Sequence, residues 1–233
     1  MPEDPMPMVM KLLITLPIFL FSLTVHEFAH GWMARRFGDH TAEDAGRLTL
    51  DPRAHIDPLG LVMFVLSSLA GFGFGWAKPV PVNLGNCRVP LRAMLWVALA
   101  GPLSNLLQAL VAVAILLVLK LAGVEDLTAA LVRNAKLLVL GEPIGVGLTI
   151  GALASFYLIV NLALMLFNLI PLPPLDGGRV AVSLLPYRLA RPLAQVEPYG
   201  FILLLVLMRL GVTAWWIGGP LVFVINGLAG ILG

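Results

Sequence analysis

The chain has 233 residues, of which 59% are hydrophobic and 12% charged, with a formal net charge of +2. A soluble domain carries about a quarter charged residues, so a mean hydropathy of +0.95 argues against one and indicates an all-α polytopic membrane protein. The small net charge gives no reason to expect a nucleic-acid partner, and a single cysteine, Cys87, excludes a disulfide framework and a thiolate zinc site.

After a short tail with Pro2, Pro5 and Pro7, an apolar run from Leu12 to Ala34 predicts a spanning helix that exits at Arg35 and Arg36. No small-residue cleavage pattern ends it, so it reads as a retained helix and not a signal peptide. Inside it stands Val25-His26-Glu27-Phe28-Ala29-His30, an H-E-x-x-H pattern. On a helix, residues four apart sit about 40° round the axis and about 6 Å along it, so both imidazoles can reach one metal ion, with Glu27 beside them. Hydrolytic zinc takes three protein ligands and keeps a position for water, so a third ligand must come from elsewhere. In a soluble helix the same pattern is often a solvated charged face. Here a charge at membrane depth costs about 2.5–3.5 kcal/mol on insertion scales and calls for a compensating partner. A metal site satisfies that demand, ahead of a proton relay or a polar contact between helices.

The polar stretch from Gly38 to Pro58 is turn-rich, with Arg47-Leu48-Thr49-Leu50 as a short strand. His55 and Asp57 lack ligand-pair spacing and read as interfacial hydrogen-bonding groups. Leu59 to Gly75 is apolar and glycine-rich at its end, and either crosses the membrane or dips in and returns. Trp76 to Asn83, WAKPVPVN, reads either as an edge strand able to bind an extended peptide by strand addition or as an interfacial loop.

Residues 93–121 form a second span, in which Gly101, Pro102, Ser104, Asn105 and Gln108 are assigned to helix packing. Residues 122–142 read as a short amphipathic connection. Residues 143–171 form a third span, with Gly147 and Gly151 four apart and Asn161 and Asn168 within it, and it breaks at IPLPPLDGGR. Asp176 in that break is, with Glu27, the only acidic group embedded between strongly apolar stretches. It is either the missing ligand or the cap of the helix that follows, and the ligand is favoured. Two runs at 199–210 and 212–232 predict a closing hairpin. The total is about five to six membrane segments with a small re-entrant or interfacial β element. If Leu59 to Gly75 is re-entrant, the basic residues from Arg35 to Arg92, and again Arg179, Arg188 and Arg191, lie on one side, which predicts that these loops and the site face the cytosol.

The motifs HEFAH, LTLDPRAHIDPLG, GWAKPVPVN, AGPLSN and FNLIPLPPLDGGR occur in this order over nearly the whole chain. Together they resemble the site-2 protease family of intramembrane zinc metalloproteases, in its compact prokaryotic subgroup without accessory domains. The resemblance implies one zinc per chain bound by His26, His30 and Asp176, Glu27 as catalytic acid and base, and Asn168 as an active-site polar group contacting substrate. It implies a single metalloprotease domain over 1–233 in a prokaryotic cell membrane, cleaving the transmembrane helix of a partner protein among lipid. It specifies no oligomeric state. The alternative from another class is a non-proteolytic zinc-binding membrane protein or transporter.

Overall fold

The computed structural model describes residues 5–69, 74–140 and 149–232. Ten α-helices lie among them: α1 (Pro5–Arg36), α2 (Thr41–Asp44), α3 (Pro58–Leu69), α4 (Pro90–Leu121), α5 (Leu127–Leu140), α6 (Ile150–Asn168), α7 (Asp176–Leu184), α8 (Tyr187–Gln195), α9 (Gly200–Arg209) and α10 (Val212–Leu232). Among the described residues five stretches are long and apolar enough to cross a membrane: Leu12–Arg36, Pro90–Leu121, Ile150–Asn168, Tyr187–Arg209 and Val212–Leu232. The fourth joins the polar-faced α8 to α9. The Gly147 end of the third predicted span, and Gly71 to Gly73 of the glycine-rich stretch, lie outside the described residues.

Helix α4 is the axis of the molecule and packs against α1, α6 and α7. Its buried positions run Val97, Ala98, Gly101, Asn105, Gln108, Ala112 and Leu116, a seam with helical spacing, while Leu103, Leu107, Leu110 and Val118 face outward. Lipid tails are as apolar as leucine, so helices here associate by close packing and polar contacts between them, which suits a seam of small residues. Ala109, Ala112 and Leu116 meet Leu131 of α5, Leu158 and Ile159 of α6, and Leu221 and Ile225 of α10 in one core. Residues 127–140 are therefore a packed helix, and the reading of 122–142 as a short surface connection is corrected: the buried face carries Leu127, Leu131 and Asn134, whose Nδ2 donates to the Ala152 carbonyl at 2.8 Å.

Helix α3 has 12 residues, about 18 Å, against a hydrocarbon core of about 30 Å. It leans on α1 through stacked Phe19 and Phe64, 4.2 Å between centroids. The chain returns alongside it: the Phe74 N–H donates to Ser67 Oγ at 2.6 Å, and the Lys78 N–H to the His55 carbonyl at 2.9 Å. The segment thus goes out and comes back to its own starting level. Gly60 and Gly75 allow this approach, since a Cβ on Gly75 would lie 2.7 Å from both the Gly60 carbonyl oxygen and Phe64 Cβ.

No β-strand exists among the described residues, which corrects the expected β element. Thr49 and Leu50 lie in bends, and WAKPVPVN forms a single isolated bridge, Ala77 to Ile56. The reason is chemical. Pro79 and Pro81 have no N–H to give a ladder, and the Val80 N–H between them is engaged by Glu27.

Candidate metal centre

The last turns of α1 lie against the α4 seam where it is narrowest. A Cβ on Gly101 would stand 2.5 Å from His26 Cε1 and 2.5 Å from His30 Nε2, so the absent side chain is the space the imidazoles occupy. The rings meet edge to face, 4.7 Å between centroids. His30 Nδ1 lies 2.6 Å from the Val97 carbonyl oxygen. A carbonyl only accepts, so Nδ1 carries the hydrogen and Nε2 presents a lone pair. His26 Nδ1 is likewise 2.6 Å from the Asn105 amide oxygen.

Asp176 reaches this point from the other side. Helix α6 ends at Asn168, the prolines at 171, 173 and 174 turn the chain, and Asp176 is the first residue of α7. It does not serve as the cap: the N-cap position is Leu175, with no side-chain bond to the helix. Its Oδ2 instead lies 3.2 Å from His26 Nε2 and 3.4 Å from His30 Nε2, and the two nitrogens are 3.0 Å apart. Oδ2 is buried and has no hydrogen-bond donor of its own. Three lone-pair atoms thus converge in a buried place, an arrangement that demands positive charge among them. A proton bridges only two atoms. A metal ion serves all three, and ligands about 2.0–2.1 Å from a tetrahedral zinc are about 3.3 Å apart, so the residues present fit a zinc ion.

Glu27 offers a carboxylate oxygen within 4.8 Å of the ligand nitrogens of His26 and His30. Its Oε2 accepts the Val80 N–H at 2.8 Å. That contact depends on the loop at 76–88, which is pinned to the end of α1 by Asp39. The Asp39 carboxylate, fully buried, accepts from the Thr41 N–H and hydroxyl, the Asn83 N–H at 2.7 Å and Asn86 Nδ2 at 3.0 Å. Burial pushes its pKa up, but the hydrogen bonds from Thr41, Asn83 and Asn86 outweigh it and hold the group below its ordinary value.

A cavity of about 1050 Å³ opens beside these groups, lined among others by Glu27, His30, Val80, Asn168, Asp176 and Phe201. It exceeds the usual range of small-molecule pockets, about 300–1,000 Å³. Asn168 faces it from the last turn of α6 with Nδ2 donating to the Leu164 carbonyl at 3.0 Å. His55 and Asp57 lie apart from the cluster: His55 Nε2 contacts the Thr49 carbonyl at 2.9 Å, and Asp57 accepts the Gly60 N–H at 2.8 Å, opening α3. Sequence reasoning missed the roles of Gly101, Asn105 and Val80. The i, i+4 spacing of Gly101 and Asn105, the same as that of the histidines they touch, was the available signal for two of them.

The model of peptidase family M50 matches residues 87–210. YwhC of Bacillus subtilis (strain 168), which carries the provisional name zinc metalloprotease, is 39% identical over 203 residues, covering 87% of this chain and 82% of that protein. Rip2 of Mycobacterium tuberculosis (strain H37Rv), with the same provisional description, is 32% identical over 216 residues, covering 91% of this chain and 73% of that protein. No solved structure matches the chain significantly.

Proposed function

The chain belongs to peptidase family M50, and on that premise we propose that His26, His30 and Asp176 hold one zinc ion at which Glu27 drives peptide hydrolysis. The protein is an intramembrane zinc metalloprotease whose substrate is a protein. The observation that carries the site assignment is the meeting of Asp176 Oδ2 with both Nε2 atoms, at 3.2 and 3.4 Å, across about 150 residues of sequence.

When bound, zinc polarises a carbonyl and lowers the pKa of water towards about 7. The rest falls to the chain. Glu27 takes a proton from the attacking water and returns it to the leaving amine. The Val80 N–H fixes one oxygen of that carboxylate and leaves the other for the proton. Asn168, on the cavity wall, hydrogen-bonds the substrate backbone near the carbonyl under attack. A substrate helix conceals its carbonyls in its own hydrogen bonds, so it unwinds on entering, and the cavity has room for an extended stretch. The substrate class is the transmembrane segment of a partner protein, cut within or next to the bilayer.

Orientation follows from the basic groups. The return of the chain from Phe74 to the level of His55 supports one shared face for the basic groups between Arg35 and Arg92. Arg179, Arg188 and Arg191 follow the break on the metal side, so the site faces the cytosol of a prokaryotic cell. A transport role would string ligands along a path. Of the four histidines, the two outside the cluster are engaged elsewhere, His40 with Glu43 and His55 with Thr49.

The test is Glu27→Gln. In detergent, with a panel of single-span substrates, cleavage falls at least 10³-fold while zinc content stays at one per chain. Undiminished turnover in that variant would overturn the assignment.

A further inference from the structure

A chain of buried amides runs from the back of the metal centre through the middle of the protein. Asn105 Nδ2 donates to Asn161 Oδ1 at 2.9 Å, and Asn161 Nδ2 donates to the Tyr157 carbonyl at 3.0 Å and to Ser22 Oγ at 3.0 Å. Asn105, Asn161 and Ser22 are wholly shielded from solvent. The chain has a direction, and a backbone carbonyl sets it. The Tyr157 oxygen can only accept, so Asn161 turns its nitrogen that way and its oxygen towards Asn105. Two amide oxygens do not face each other, so Asn105 presents its nitrogen to Asn161 and its oxygen to His26. His26 must then donate from Nδ1, 2.6 Å away, and its Nε2 carries the lone pair that faces Asp176 and His30.

We infer that Asn105, oriented by Asn161, is a positioning residue that fixes the tautomer and ring plane of His26 for zinc. The inference deepens the proposed function and rests on its zinc assignment. The two imidazoles are thus held by different devices. His30 is oriented by the Val97 carbonyl, which no side-chain substitution removes. His26 depends on a side chain, and so is the one that substitution can release. Gln108, one turn further along α4, bonds to Tyr157 Oη and not to this chain. Hydrogen-bond partners behind a ligating histidine typically change metal affinity by about 10–100-fold when removed.

The experiment compares the full chain in detergent with Asn105→Leu, which keeps much of the volume and has no acceptor, with Asn105→Asp, which keeps the acceptor, and with Asn161→Leu. Two readouts are taken. The first is zinc affinity by chelator competition. The second is the ¹⁵N spectrum of the labelled histidines in zinc-free protein, where only four side chains contribute. The inference predicts zinc binding about 10–100-fold weaker in Asn105→Leu, with His26 losing its Nδ1–H form. Asn105→Asp keeps the acceptor for His26 but sets its second oxygen against Asn161 Oδ1, so it recovers only part of the affinity lost in Asn105→Leu. Asn161→Leu weakens binding less, and combined with Asn105→Leu it adds nothing, because the two act in series. Unchanged zinc affinity and an unchanged His26 spectrum in Asn105→Leu would overturn the inference and leave the proposed function standing. Additive losses in the double variant would overturn it too, as general loosening of the bundle. Should Asn105→Leu not fold, Asn161→Leu carries the same two readouts. A wild type that binds no zinc would remove the zinc assignment and this inference together.

Discussion

The two sides of the metal centre are built in opposite ways. The histidine side stands on regular helices: α1 presents His26 and His30, α4 seats them at Gly101, and each Nδ1 is held from behind, by Asn105 and by Val97. The acidic side leans on irregular chain, although Glu27 itself is on α1. Asp176 follows a proline-rich turn, its Oδ2 has no donor, and Glu27 is steadied by a single N–H from a strip that cannot form a ladder. The imidazoles are thus held by the protein's own acceptors, whereas the Asp176 oxygen has no donor among the described residues.

The contrast can be broken most severely at Asp176. Asp176→Ala removes the proposed third ligand; zinc affinity by chelator competition should fall by more than 100-fold and cleavage should be lost with it. Retained zinc in that variant would mean that the histidine side suffices. Gly101→Ala attacks the opposite side without touching a ligand. Its Cβ needs the space of both imidazoles, 2.5 Å from each, so zinc affinity should fall by about tenfold or more with the helical content unchanged by circular dichroism.

Val80→Pro removes the N–H that Glu27 accepts, together with the packing of the buried valine side chain, for which Val80→Ala, which keeps the N–H, is the control. A hydrogen bond to a charged group is worth about 1.5–3 kcal/mol, so kcat should fall by about tenfold or more, with KM and zinc content close to wild type. A change in zinc content instead would place the strip among the supports of the metal. The smallest effect on cleavage is expected at Asp39, two elements away. Asp39→Ala leaves the Asn83 N–H and the Thr41 N–H without an acceptor and should cost about 1–3 kcal/mol of stability, with activity reduced only a few-fold. Because the folded-state pKa of Asp39 is depressed, its contribution is present above about pH 4, the ordinary aspartate range, and is lost as pH falls through the lower folded value. The difference in thermal midpoint between wild type and Asp39→Ala should therefore shrink only below about pH 4.

The same contrast explains what could be read from sequence. The shared face of His26 and His30 was legible because helical periodicity alone puts them there, and Asp176 stood out because a carboxylate between apolar stretches has few other uses; the structure brings its Oδ2 3.2 and 3.4 Å from their Nε2 atoms. The spanning helices were legible from hydropathy. Val80 was not, since its contribution is a backbone N–H and any residue but proline carries one. Gly101 and Asn105 read as packing in sequence, because a small residue and an amide four apart in a span usually are that; only the position of α1 against them shows what they pack. The expected β element failed on Pro79 and Pro81, which were visible, and whose missing donors decide the matter once no neighbouring strand is there to compensate. Helix α5 reads as a connection in sequence because Arg133 and Lys136 interrupt its apolar pattern, while its buried face, Leu127, Ala130, Leu131, Asn134 and Ala135, includes two small residues and an amide.

Two imidazoles and one carboxylate are proposed to hold a single zinc ion. Zinc K-edge absorption of the loaded protein, with metal content determined on the same sample, tests this proposal most directly. The expected result is one zinc per chain, four light-atom neighbours at about 2.0–2.1 Å, and outer-shell scattering from two imidazoles that drops to one in His26→Ala. A sulfur shell, or zinc whose imidazole scattering is the same in wild type and in His26→Ala, would contradict it.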